Sequence, residues 1–305
     1  MKMQKLRGII PPMITPLNGN DELDYEGTER LTEHILAGGV HALFLLGTTG
    51  EAQSLTYRLR YEFVERVCKL VDGRVPVLVG VTDTSLDESV KLAAHAANCG
   101  AVGVVAAPPY YFAPAQQELI EYYTALADKL PLPLYLYNMP SHVKVFLEPQ
   151  TVKTLADHAN IVGLKDSSAN MTYFQTLLYH LGQRDDFSLY VGPEELTGES
   201  VLMGAAGGVN GGANIFPELY VGMYNAASEH DIEHLRELQR CIMQISTTIY
   251  TVGKYGSSYL KGLKCALSLL GICNDYLSYP YQKFRNEERA RIRQALEALG
   301  VKCRE

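Results

Sequence analysis

A lysine closes the apolar run Ile161-Val162-Gly163-Leu164-Lys165, and Asp166-Ser167-Ser168 follows at once. Lysine is seldom buried unless it is paired or chemically used, and a desolvated ammonium gives way to the free amine. A free amine attacks a ketone to form an imine. Once protonated, the imine withdraws electrons from the adjacent carbon and permits the enamine of aldol chemistry. The competing reading of Lys165 is a side chain that reaches solvent or pairs with Asp166.

Other clusters carry residue types suited to such a site. Gly47-Thr48-Thr49-Gly50-Glu51 sets two hydroxyls between glycines; its exposed N–H groups suit a small carboxylate, although a plain turn capping the next helix has the same composition. Tyr137-Asn138-Met139-Pro140 puts a phenol before a proline-bounded turn, where it can exchange protons or simply pack on a rim. Pro108-Pro109-Tyr110-Tyr111-Phe112 reads as a lid or an interface. The cluster Gly207-Gly208-Val209-Asn210-Gly211-Gly212-Ala213-Asn214 leaves room either for a ligand or for close helix packing.

The elements that must position these groups are legible from the hydrophobic pattern. Short, nearly continuous apolar runs occur at Gly8–Ile14, His41–Leu46, Val77–Val81, Gly103–Ala107, Leu134–Tyr137, Ile161–Lys165, Leu189–Val191 and Gly207–Asn210. Such runs fit parallel strands buried on both faces. Amphipathic stretches such as Asp24–Ala37, Arg58–Asp72, Leu86–Cys99 and Gln116–Lys129 lie between them. Repeated strand–helix units fit a closed (β/α)8 barrel or an open doubly wound sheet. The number of units and the lack of G-x-G-x-x-G after the first strand favour the α/β barrel. Ile232–Val252, Ser257–Leu270 and Glu287–Leu299 then read as helices with no strands between them. The expected organisation is a catalytic barrel over residues 1–228 and a C-terminal helical extension over 229–305. In such a barrel the site lies at the C-terminal ends of the strands, where the polar clusters fall.

With a net charge of -7 and no basic cluster interleaved with aromatics, nucleic acid is not an expected partner. No apolar run reaches the roughly 18 residues of a membrane span. The opening MKMQKLRGII has no long apolar core and no small-residue cleavage site, so no secretory leader is expected. The six scattered cysteines form no C-x-x-C pair and read as thiols of a reducing cytoplasm. His230-Asp231-Ile232-Glu233-His234 matches a zinc-binding pattern, but a solvated helix face is the better reading, and no metal is expected.

Taken in order, GTTGE, PPYY, YNMP and GLKDSS resemble the dihydrodipicolinate synthase / N-acetylneuraminate lyase superfamily, over essentially the whole chain including its C-terminal helices. The resemblance implies a class I pyruvate lyase that needs no cofactor. It makes Lys165 the Schiff-base lysine and Tyr137 the proton shuttle. Thr49 and the backbone at Gly50 become the pyruvate carboxylate clamp, and Thr48 links Tyr137 to a second tyrosine, Tyr111, entering from a neighbouring subunit. It thereby implies a homo-oligomer, commonly a tetramer built of two dimers. Val209 takes the place of a residue whose carbonyl lies near the lysine, and Ser167 and Asn210 fall among the substrate-binding positions.

The pattern also departs from part of the family. Dihydrodipicolinate synthases carry an arginine after the YNxP turn, where this chain has His142, and Lys144 is displaced from that position. A histidine cannot offer the bidentate fork of a guanidinium. Lys165-Asp166-Ser167-Ser168 and Gly192-Pro193-Glu194-Glu195 are more similar to members acting on sugar acids, where an acidic pair accepts hydrogen bonds from polyol hydroxyls. Acidic residues also favour the first turn of a helix, so Glu194 and Glu195 carry both readings. The expected partners are pyruvate and an aldehyde, joined in or cleaved from a 2-keto-3-deoxy sugar acid or an N-acetylneuraminate-like substrate. The alternatives are 4-hydroxy-tetrahydrodipicolinate synthase, which joins pyruvate to aspartate semialdehyde, and a non-catalytic keto-acid-binding barrel.

Overall fold

The computed structural model describes residues 5–303. Eight short strands form the barrel: β1 (Gly8–Ile9), β2 (Leu43–Leu45), β3 (Val77–Gly80), β4 (Gly103–Ala106), β5 (Leu134–Asn138), β6 (Ile161–Asp166), β7 (Ser188–Val191) and β8 (Gly207–Gly208). All pairings are parallel, and the sheet runs β1-β8-β7-β6-β5-β4-β3-β2. The ring closes just after β1, where Pro12 bridges to Phe44. There the Phe44 N–H donates to Pro11 O at 3.0 Å and the Met13 N–H to Phe44 O at 2.9 Å. The expected first strand, Gly8–Ile14, is thus a two-residue ladder followed by a closing segment. Prolines at positions 11 and 12 explain this, because they supply no N–H for a longer ladder.

Side-chain caps fix where several helices begin. Asp24, Thr56, Ser85 and Asn170 each accept a backbone N–H from the first turn of the helix that follows, satisfying donors that would otherwise lack partners. Two small elements escaped the hydrophobic pattern. One is the antiparallel hairpin Leu17–Gly19 with Glu22–Leu23, and the other is a single helical turn, Pro140–Val143.

The extension contains helices Ile232–Thr248, Ser258–Leu269 and Asn286–Ala298; the first stops short of the expected Val252. Its residues Ile245, Ile249, Leu263 and Leu267 share one apolar core with barrel residues such as Leu43 and Leu45. It also fastens the turn after β2. Lys264 forms an ion pair with Glu51, and neither side chain has any solvent exposure. The Lys264 ammonium also donates to Tyr276 O at 2.7 Å, and Glu51 Oε2 accepts the Ser278 N–H at 2.8 Å. Among the described residues no helix is long and apolar enough to cross a membrane.

A buried pair becomes costly when one member is lost, because the other charge stays desolvated. Lys264→Met is therefore expected to lower folding stability by about 3–5 kcal/mol, read from chemical denaturation. A loss within experimental error would show that Glu51 finds another partner or takes up a proton.

Candidate active site

The β5–β6 register places Tyr137 directly beside Lys165 and Asn138 beside Asp166. Successive strand residues face opposite sides, so Lys165 and Asp166 diverge. Asp166 is held by Asn138 Nδ2 at 2.8 Å, by the Ser168 N–H at 3.1 Å and by Ser168 Oγ at 2.9 Å. Lys165 is only 7% exposed. Its Nζ lies 4.2 Å from the centre of the Tyr137 ring and 5.2 Å from that of Phe44. The structure removes both bland readings of this lysine, since it neither reaches bulk solvent nor pairs with Asp166.

Tyr137 Oη is 3.4 Å from Thr48 Oγ1. Burial pushes the phenol up, but the Lys165 charge and hydrogen bonding by Thr48, Ser167 and Lys165 outweigh it, leaving the pKa below the ordinary tyrosine value. Ser167 is anchored by its own N–H, which donates to Asn138 O at 2.8 Å. Val209 shares a small void with Lys165, Phe44 and Tyr190.

In the turn after β2 the Gly50 N–H donates to Gly47 O at 3.0 Å and the Glu51 N–H to Thr48 O at 3.1 Å. The expected donor at Gly50 is therefore corrected, because the turn itself uses that amide. Among the described residues the N–H groups of Thr48 and Thr49 have no protein acceptor, which makes them the convergent donors at this point.

The acidic pair also differs from expectation. Glu194 is buried and saturated by protein donors, so as an open acceptor for polyol hydroxyls it is corrected. Its Oε1 accepts from the Tyr220 hydroxyl and, at 2.7 Å, from the Tyr250 hydroxyl; Oε2 accepts the Gly212 N–H at 2.9 Å. Burial raises its pKa despite these donors. Glu195 accepts from Ser246 Oγ. Asn210 is fully buried and directs its amide to Thr197 Oγ1 at 2.8 Å and Gly192 O at 3.4 Å.

The glycine cluster makes room for protein hydroxyls. A side chain at Gly211 would meet Tyr259 Oη at 1.6 Å, and one at Gly212 would meet Tyr220 Oη at 1.9 Å. Tyr259, at the start of helix Ser258–Leu269, lies 3.3 Å from Thr49 Oγ1. Sequence reasoning missed Tyr220, Tyr250 and Tyr259. A tyrosine on a helix face looks like packing until the fold shows where its oxygen ends.

Tyr137 and Phe44 also form part of the wall of a cavity of about 300 Å³. Its further polar lining comes from Thr48, Gln53, Thr82, Tyr110, Ser141, His142 and Tyr281, and it contains no lysine, arginine, aspartate or glutamate. Partial burial, then the Lys144 and Lys165 charges, lower the pKa of the surface-exposed His142 imidazole from its ordinary value. Lys144 instead donates to Ser141 O at 2.6 Å. Tyr111 lies outside this wall, 93% exposed and held at φ 91. Among the described residues no group of three His, Cys, Asp or Glu is placed to hold a metal ion, and His230 and His234 are exposed.

A buried amine beside a phenol of lowered pKa, at the C-terminal ends of parallel barrel strands, defines the site of a class I carbon–carbon lyase. Residues 5–299 match the dihydrodipicolinate synthetase family, and the chain belongs to that family. It is 33% identical to the "Probable 2-dehydro-3-deoxy-D-pentonate aldolase YjhH" of Escherichia coli K12, over 98% of this chain and 99% of the relative. Among solved structures it is 59% identical to a dihydrodipicolinate synthase from Bacteroides thetaiotaomicron, with a TM-score of 0.95 over 97% of this chain and 99% of that one. It is 29% identical to YagE, a prophage protein of the dihydrodipicolinic acid synthase family from E. coli K12 in complex with pyruvate, with a TM-score of 0.91 over 97% and 99%.

If the Tyr137 phenolate is the working base, activity rises with pH through its lowered pKa. Ser167→Ala removes one group that lowers it, so the pKa climbs and the rising limb of kcat/KM is expected to move to higher pH. A limb that stays in place would show that the phenol is not the titrating group.

Proposed function

We propose that Lys165 forms a Schiff base with the ketone of pyruvate or of a 2-keto-3-deoxy acid. The observation that carries this reading is the buried Nζ against Tyr137 and Phe44, with the adjacent carboxylate engaged elsewhere. In cleavage, the amine adds to C2 and water leaves, giving a protonated imine. Tyr137 takes the proton of the C4 hydroxyl as the C3–C4 bond breaks. The bonding pair passes into the enamine, and an aldehyde departs. Protonation at C3 and hydrolysis return pyruvate and the free amine. Thr49 and the amides of Thr48 and Thr49 hold the keto-acid carboxylate.

The aldehyde half is a neutral polyhydroxy fragment. An uncharged cavity lined by hydroxyls, an amide and an imidazole of lowered pKa suits it, whereas an anionic aldehyde needs a cation that this wall does not provide. The E. coli relative named for a 2-dehydro-3-deoxy-D-pentonate supports the same choice, and the enclosure of Glu194 argues against an N-acetylneuraminate-sized partner. The 59% identical structure described as a dihydrodipicolinate synthase favours a second reading, 4-hydroxy-tetrahydrodipicolinate synthase. Both share the first half of the mechanism.

Borohydride reduction in the presence of pyruvate is expected to leave an adduct on Lys165, mapped by peptide mass spectrometry and absent in Lys165→Ala. Lack of an adduct would leave only a non-catalytic keto-acid-binding barrel. A panel of glycolaldehyde, glyceraldehyde, N-acetylmannosamine and aspartate semialdehyde, each offered with pyruvate, is expected to favour the short neutral aldehydes. Preference for aspartate semialdehyde would establish the second reading.

We also assign Tyr111 to the site of a neighbouring subunit in a homo-oligomer of two or more chains, commonly a tetramer in this family. Its exposed ring, set edge-on to the 84% exposed Phe112 and held at a backbone angle unusual for tyrosine, supports a loop shaped for a partner. Tyr111→Phe is expected to lower kcat about a hundredfold while the Lys165 adduct still forms. An unchanged kcat would remove Tyr111 from the proton path.

A further inference from the structure

We propose that Tyr259 is a positioning residue that aims the Thr49 hydroxyl at the carboxylate of the bound keto acid. The inference rests on the reading of Thr49 as part of the carboxylate clamp. It concerns which way a hydrogen bond runs. Tyr259 Oη and Thr49 Oγ1 lie 3.3 Å apart, and either can donate. If Thr49 donated, its hydrogen would point away from the ligand, and the Tyr259 hydrogen would have no protein acceptor among the described residues. If Tyr259 donates, its hydrogen is satisfied and the Thr49 hydrogen is free for an incoming carboxylate. A hydrogen bond to a charged acceptor is worth more than one to a neutral hydroxyl, so the second arrangement is favoured once the ligand arrives.

The surroundings hold the Tyr259 hydroxyl in the place from which it can donate. The Tyr259 hydroxyl occupies the space that a side chain at Gly211 would fill. Its ring stands edge-on to Tyr250, with centres 4.8 Å apart, and Tyr250 is tied through its own hydroxyl to Glu194 at 2.7 Å. Tyr259 therefore cannot swing away without disturbing a buried network. Burial and the nearby Glu194 carboxylate push its phenol well up, so it remains a protonated donor throughout the working range. Glu194 thus acts on the reaction through two tyrosines rather than by touching substrate.

The test is the pyruvate dependence of borohydride trapping on Lys165 in the full chain, with kcat measured alongside. Tyr259→Phe removes one oxygen and keeps the ring. It is expected to raise the half-saturating pyruvate concentration about tenfold, the worth of one charge-assisted hydrogen bond, with full trapping still reached and kcat changed less than twofold. In a Thr49→Val background the same change is expected to have no further effect, because there is no hydroxyl left to aim. In Thr49→Ser the tenfold response is expected to return. A purely structural role for Tyr259 predicts effects that multiply in the double variant, and that result, or an unchanged half-saturation in Tyr259→Phe, overturns the proposal while leaving the Schiff base intact. No adduct in the unaltered protein at any pyruvate concentration overturns the Schiff-base reading and this inference with it.

Discussion

Asp166 follows Lys165 directly, and the chemistry of the site depends on keeping the two apart. Were the carboxylate to reach the amine, a directed bond would tether Nζ to its own strand and turn it away from Tyr137. Strand geometry turns the two side chains to opposite faces. Asn138 and Ser168 then hold the carboxylate where β6 leaves it. The same Asn138 accepts the Leu147 N–H at 3.1 Å, so one amide ties together the ends of β5 and β6 and the loop that follows. The amine is left against two aromatic rings, its Nζ 4.2 Å from the centre of Tyr137 and 5.2 Å from that of Phe44.

The extension behaves as a brace for the turn after β2. That turn carries Thr48 beside Tyr137 and Thr49 beside Tyr259, and a glycine-bounded loop has little stiffness of its own. The buried Glu51–Lys264 pair holds its C-terminal end, and the Thr15 hydroxyl, donating to Gly50 O at 2.7 Å, holds it from β1's side. Tyr259 reaches its threonine. Two buried carboxylates, Glu51 and Glu194, both receive groups from beyond the barrel, Lys264 and Ser278 on the first and Tyr250 on the second. A continuous apolar core across barrel and extension follows from this arrangement, because a brace on a separate core would move relative to what it braces.

The fold was legible wherever physics is local. Continuous apolar runs marked the strands because both of their faces are buried, and amphipathic stretches such as Asp24–Ala37 and Leu86–Cys99 marked helices because one face of each packs on the barrel. Lys165 stood out because a charge at the end of an apolar strand has few cheap explanations. Less legible were features settled by neighbours distant in sequence. Gly211 and Gly212 suggested space without saying that tyrosine hydroxyls fill it. Glu194 looked like an open acceptor because its donors, Tyr220 and Tyr250, come from two later helical segments. Gly50 looked like a clamp donor because the internal hydrogen bonds of a turn cannot be counted from composition.

The two halves of the site are made of different material. Lys165 and Tyr137 rest on β5 and β6 beside a braced turn, so their geometry is set by the barrel. The cavity wall next to them is completed by Ser141, His142, Gln53, Thr82, Tyr110 and Tyr281, most of them in short connections where substitution disturbs little of the core. His142 sits in the single turn Pro140–Val143, next to the strand that carries Tyr137 and yet outside its ladder. A change there alters the cavity wall at a position that takes no part in the β5–β6 pairing of Tyr137 with Lys165. The residues that line the cavity beyond Tyr137 can therefore vary without a change to the strand pairing that sets Tyr137 beside Lys165.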